Sequence, residues 1–221
     1  GWTGTNVSTS DPDYIPPTSS PIPIQQYQAH KRYPKVVLVT PGYMLLFNDC
    51  LHYNGIGQRR IGEYMAKAYS KWVFEGKKWE PTGPLSVTRN GAVVTVKYHV
   101  PVPPLALDTV NVASVPNYGF RYLTGGSSKI ASGTSQPIQS VVVSAPDTIT
   151  ITLQGVPAGG NERLEYANYM DFGGLGRPGC PGTTQGARGN VRDSDPQVSA
   201  TGGLPLYNWG VSFELPVPYQ E

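Results

Sequence analysis

Hydrophobic positions in this chain follow three rhythms in turn. Lys35 to Thr40 (KVVLVT) is a continuous β-branched and aliphatic run ending at Pro41 and Gly42, the pattern of a strand buried on both faces in a parallel sheet. Before it, PIPIQQYQAH carries prolines only at its front, then good helix formers with Ile24, Tyr27 and Gln28 on one stripe, which predicts a short helix over 22–30. Residues 58–74 (QRRIGEYMAKAYSKWVF) contain no proline and set Ile61, Tyr64, Met65, Ala68, Tyr69 and Trp72 at three- and four-residue spacings. That spacing predicts the longest helix of the chain, closed by Gly76.

From Pro84 the rhythm shortens to alternation broken by turn residues. LSVT, then Arg89, Asn90 and Gly91, then AVVTVKYHV predict a hairpin on an Asn-Gly turn. Further strands are expected at 119–123, 138–144, 147–153, 163–168 and 207–215, which together make an antiparallel β-sandwich, jelly-roll-like or immunoglobulin-like. Residues 171–203 read as a long glycine-rich loop, functional or mobile. The chain therefore divides into an irregular arm (1–21), a helix-strand-loop-helix unit (22–76), a linker (77–83) and a sandwich (84–221). A unit of that size with one parallel strand has no sheet of its own. Its missing sheet must come from an upstream part of the same product or from another chain, and Val37 to Val39 should stay incompletely covered.

Composition narrows the class. Glycine (26) and proline (22) are nearly twice as frequent as in an average domain, which argues against a helical bundle. Charged residues are 14% and the formal net charge is only +2, so the chain lacks the basic footprint of a nucleic-acid binder. Hydrophobic residues at 38% suffice for a packed interior. The sequence holds no long apolar span and opens on Gly1, Trp2, Thr3 and Gly4, without the basic and apolar regions of a secretory signal. Neither a membrane span nor an export address is expected. Cys50 and Cys180 cannot form a paired-cysteine zinc site. A disulfide between them and two unpaired thiols both fit, the second being the default.

Candidate chemistry concentrates at Asp49, Cys50, Leu51 and His52, after the loop that leaves the apolar run. This is the edge at which open α/β sheets hold their sites. Three residues apart on a turn, the carboxylate can accept from one imidazole nitrogen and leave the other as a general base. Tyr53 and Asn54, next along the chain, are candidate substrate contacts.

NDCLHYNGIGQRRIGEYMAKAY resembles the last block of the SGNH (GDSL-type) hydrolases, where an Asp-x-x-His pair precedes a glycine-containing turn and an amphipathic helix. The stretch from Pro21 to Pro101 is similar to SGNH-like carbohydrate esterases of sialate O-acetylesterase type, found in bacterial genomes and on bacteriophage tail spikes. In some of these a β-sandwich follows the helix, and RGNVRDSDP from Arg188 to Pro196 is also similar to them. The resemblance implies a three-layer α/β fold of which 22–76 is the C-terminal remnant, with His52 as base and Asp49 as its orienter. It implies a serine esterase acting on O-acetylated carbohydrate, without cofactor or metal, placed outside the cell or on a virion rather than in the cytoplasm. The family's serine and oxyanion blocks are not found in this sequence. Ser8, Ser10, Ser19 and Ser20 lie in proline-rich sequence without a preceding strand, so the chain alone should be nearly inactive. The partner is then the N-terminal part of the same hydrolase, with a homo-oligomer also open. The rival reading is a non-catalytic structural or carbohydrate-binding module of a tail spike or envelope.

Other polar residues invite plainer readings. His30 on a surface helix and His99 at a strand end are structural. Arg188, Arg192, Asp193 and Asp195 form a solvated ion-pair loop in preference to a calcium or sugar site. Tyr166, Tyr169, Tyr207 and Trp209 are core or interface aromatics in preference to a sugar platform.

Overall fold

A computed structural model of the chain describes residues 21–49, 51–126, 133–168, 181–200 and 202–221. The arm up to residue 20, both cysteines and Tyr169 therefore lie outside the described residues. Helix α1 (Pro21–Arg32) starts on proline, which suits the first turn, and ends on His30, Lys31 and Arg32, which suit the C-terminal dipole. Helix α2 (Gly55–Tyr69) is capped by the Asn54 side chain and runs on as a π-helical turn, Ser70–Phe74.

The remainder is β-rich. In chain order the strands are β1 (Gly83–Asn90), β2 (Val93–His99), β3 (Ala106–Leu107), β4 (Phe120–Thr124), β5 (Thr134–Gln136) and β6 (Ile138–Ala145). They continue with β7 (Thr148–Leu153), β8 (Arg163–Tyr166), β9 (Val191–Arg192), β10 (Phe213–Pro216) and β11 (Tyr219–Gln220). Every pairing among the described residues is antiparallel: a five-stranded sheet β11-β1-β2-β7-β6, a four-stranded sheet β10-β8-β4-β5 and the short pair β3-β9. The predicted Asn-Gly hairpin joins β1 to β2, with Asn90 opposite Val93.

Alternation decides which face is dry. Val94 and Val96 of β2 sit opposite Ile151 and Ile149 of β7, and Val141 of β6 opposite Ile151. These share one apolar cluster with Tyr122, Leu164, Tyr166 and Phe213 of the other sheet, and with Tyr27, Met44, Leu45 and Tyr64 from the segment before residue 76. Among the described residues no helix is long and apolar enough to cross a membrane.

Three expectations are corrected. Lys35 lies in a turn, and residues 36–40 have no regular secondary structure and pair with no described strand. An isolated β-branched run cannot build a ladder by itself, and the strands nearby pair only with one another. The segment is instead held by side chains: Leu38 N–H donates to His30 Nδ1 at 3.2 Å, and Trp79 Nε1–H donates to the Val39 carbonyl at 3.1 Å. Val36 is exposed, and Val37 to Val39 are half-buried.

Secondly, the loop of Arg188, Asp193 and Asp195 is not solvated, since all three are buried. His30 likewise is buried, its Nε2 against Glu80 Oε1 at 3.2 Å. Burial pushes the Glu80 carboxyl up, and the bonds from His30 and Lys31 outweigh this and hold it low.

Thirdly, within 207–215 only residues from Phe213 onward form a strand. Trp209 and Tyr166 are core, while Tyr207 lies under the Arg192 guanidinium at 3.7 Å.

Candidate active site

Local sequence builds a closed turn between the aliphatic run and α2. Phe47 and Tyr53 form an isolated antiparallel bridge, and their rings stand 4.6 Å apart. Asn48 N–H donates to the His52 carbonyl at 2.8 Å, and Asn54 N–H to the Leu46 carbonyl at 3.0 Å. Gly57 lets the helix start against this turn, because a Cβ there would fall 2.2 Å from the Leu46 carbonyl oxygen. The Asn54 cap accepts from Gly57 N–H at 2.8 Å. Tyr53 is thus half-buried against Phe47, and Asn54 Oδ1 is engaged as a cap.

At the tip of the turn, Asp49 Oδ1 accepts from the Leu51 and His52 amides, each at 2.7 Å, and Oδ2 lies 3.0 Å from His52 Nδ1. The backbone bond from His52, the imidazole bond and the Leu51 amide hold the Asp49 carboxyl at about 2. An ionised carboxylate can only accept, so Nδ1 carries the proton and Nε2 presents its lone pair. Both side chains are open, His52 at 69% and Asp49 at 49% exposure. A surface pair of this kind contributes little to stability. Its value is geometric, since one carboxylate accepts from two backbone amides of the turn and from the imidazole, and so orients the ring. A carboxyl titration followed by NMR should give Asp49 a midpoint near 2 instead of its ordinary 3.8. Any contribution to stability would be present above 3.8 and lost as pH falls through 2, and a midpoint near 4 would mean that the clasp is absent in solution.

Two residues that the sequence reading passed over anchor α2. Arg60 is buried and donates to the Met44 carbonyl at 3.2 Å and to the Pro205 carbonyl at 2.9 Å. Lys67 Nζ donates to Asp195 Oδ2 (2.9 Å), the Leu206 carbonyl (2.8 Å) and Asn208 Oδ1 (3.0 Å). Asn208 in turn donates through Nδ2 to Asp193 Oδ2 at 2.6 Å. The only sequence signal was a polar residue bordering the helix stripe at each position.

Helix α2 carries a wider apolar arc than one neighbour can cover. Gly57, Arg60, Tyr64 and Ala68 are buried, Gly57 against the turn and Arg60 and Tyr64 bonded to the Pro205 and Tyr207 carbonyls of the β-rich part. The adjacent stripe of Met65, Tyr69, Trp72 and Val73 is exposed, as is Phe74 at 78%. Between this helix and the aliphatic run lies a groove of about 430 Å³ lined by Val37, Leu38, Val39, Leu51, Tyr53 and Met65. Among the described residues no group of three or more His, Cys, Asp or Glu side chains is placed to hold a metal ion.

No protein-family model matches the chain, and no curated protein matches it by sequence. A carbohydrate acetylesterase from Xanthomonas citri aligns in structure at 12% identity with a TM-score of 0.39, over 74% of this chain and 29% of that one. The aligned part is thus under a third of that esterase's length.

Proposed function

We propose that this chain is the C-terminal part of an SGNH-type serine esterase acting on O-acetylated carbohydrate, with the serine and the oxyanion donors supplied by an N-terminal part of the same hydrolase. Residues 22–76 are then the last α/β unit of its catalytic layer, 77–83 the linker and 84–221 a jelly-roll-like sandwich. The observation that carries the reading is an exposed imidazole held at Nδ1 by a carboxylate, on a turn that follows an aliphatic run without a sheet.

His52 Nε2 takes the proton of the incoming serine hydroxyl as the serine oxygen attacks the acetyl carbonyl. Asp49 stays ionised and stabilises the imidazolium. Nε2–H then protonates the departing sugar oxygen, leaving an acetyl-serine, and a water activated by the same nitrogen releases acetate and restores the serine. Tyr53 walls the site. Asn54, whose Oδ1 caps the helix, has its amide nitrogen left to donate to a substrate oxygen.

The open stripe of α2 supports a covering partner. Met65, Tyr69, Trp72, Val73 and Phe74 with Leu51 leave on the order of 600 Å² of side chain in water, large for one patch on a monomer and near one side of a standard interface. The complete assembly should release acetate from acetylated xylan, and this chain alone should not. Acetate from the chain alone, or none from the assembly, overturns the proposal. Met65→Glu combined with Trp72→Glu should abolish co-elution with the N-terminal part while the Tm of the chain by itself moves by no more than about 2 °C. Retained co-elution would place the partner elsewhere.

A further inference from the structure

We infer that a second, polar cleft beside Asp49 is the subsite for the sugar ring that bears the acetyl group, and that the β-rich part builds half of it. The inference rests on the esterase reading above. The cleft has a volume of about 310 Å³ and lies between the turn, with Phe47, Asn48 and Asp49, and a strap of the β-rich part, with Thr183, Thr184 and Gln185. It shares Phe47 and Pro181 with the apolar groove but differs in chemistry: the groove is lined largely by aliphatic residues, whereas here Leu45, Leu46 and Phe47 stand beside the amides of Asn48 and Gln185 and the hydroxyls of Thr183 and Thr184.

Four neutral polar side chains, those of Asn48, Thr183, Thr184 and Gln185, border the cleft, and none makes a hydrogen bond to a described residue. Their donors and acceptors are therefore available to a ligand. The strap itself is fixed. Thr183 accepts at its carbonyl from Ala113 N–H at 2.8 Å, and buried Arg188 donates to the carbonyls of Ala113, Gly186 and Ser114 at 3.1 to 3.3 Å. Gly182 has φ +138, a conformation that side-chain-bearing residues rarely adopt, and a Cβ there would touch the Phe47 ring at 3.6 Å. Glycine thus lets the strap lie along the turn. Held open this way, the cleft binds without the entropy cost of ordering a loop.

Chemistry selects the ligand. Among the described residues the sole charge lining the cleft is the Asp49 carboxylate, ionised down to about 2. No described cation lines it to attract a phosphate or carboxylate, and apolar surface is too scarce for a lipid chain. A neutral, hydroxyl-rich ring meets these groups with both donors and acceptors, and the volume lies at the small end of ligand pockets, with room for a sugar ring and part of its neighbour. A ring seated there sits against the acid of the pair.

The test uses acetylated xylotriose as probe. In the complete assembly, Thr184→Ala with Gln185→Ala should raise KM for the trisaccharide about tenfold or more, two lost hydrogen bonds of ordinary strength, with kcat/KM for p-nitrophenyl acetate, which has no sugar, unchanged. An unchanged KM, or an equal fall on both substrates, overturns the subsite. If the assembly hydrolyses neither substrate, the esterase reading fails by itself, and the subsite is then judged by NMR titration of the 221-residue chain. Shifts confined to Asn48 and Gly182–Gln185 that vanish in the double variant keep it, and their absence ends it.

Discussion

If the proposed esterase reading holds, alanine in place of His52 should lower acetate release from acetylated xylan by the complete assembly by about 10⁴- to 10⁶-fold, the loss seen when a hydrolytic triad is deprived of its base. The size of the effect follows from a single nitrogen. Without Nε2 no other described group at the turn is placed to take the serine proton, and the Asp49 carboxyl at about 2 is far too weak a base to replace it. Folding should be untouched, because the imidazole is 69% exposed and its one bond is to an exposed carboxylate. The Tm of the chain should change by no more than about 1 °C. Asp49→Asn should also lose about 10⁴-fold, since the amide can hold the wrong tautomer and carries no charge for the imidazolium. Turnover that survives His52→Ala removes this residue from the reaction.

The parts of this molecule that the sequence discloses are those fixed by near neighbours. The Asn90-Gly91 turn and the alternation of Val94, Val96 and Tyr98 place β1 and β2, and spacing alone places α2. The Asp49–His52 contact is equally local, three residues closed by one carboxylate. What the sequence conceals depends on distant partners. The size of the unit already implied that KVVLVT would lack a sheet, but that the run forms no strand and is held by the His30 and Trp79 side chains could not be read. Arg188, Asp193 and Asp195 look like a solvated loop because glycine and charge surround them. Their partners are Asn208, Lys67 and the 113–114 carbonyls, which for Asp193 and Asp195 lie 13 to 128 positions away.

Replacing Lys67 with methionine destabilises the chain by about 3 kcal/mol, read as a fall in the denaturant midpoint without a change of slope. Methionine keeps the length and apolar stem of lysine, so packing against Tyr64 is retained and the electrostatic loss is isolated. Three acceptors lose their donor: Asp195 Oδ2, the Leu206 carbonyl and Asn208 Oδ1. Asp195 is the costly one, because an ionised carboxylate at 12% exposure would have no cation. Asp195→Asn added to Lys67→Met should recover about 1–3 kcal/mol of that loss, and strictly additive effects would show that the pair is not coupled. The sign with pH is fixed by the same geometry. Burial pushes the Asp195 carboxyl up, and the Lys67 ammonium with the Gln197 amide outweighs it, leaving the group below its ordinary 3.8. The stabilisation is therefore fully present above 3.8 and lost as pH falls through the lower folded value, so the gap between parent and variant should narrow on the acid side. Lys67 lies on the helix that begins at the His52 turn, and Asp195 belongs to the part that carries the 181–185 strap. One buried ion pair thus ties the base to the surface that would hold its sugar, and weakening that tie should also loosen the alignment on which the subsite depends.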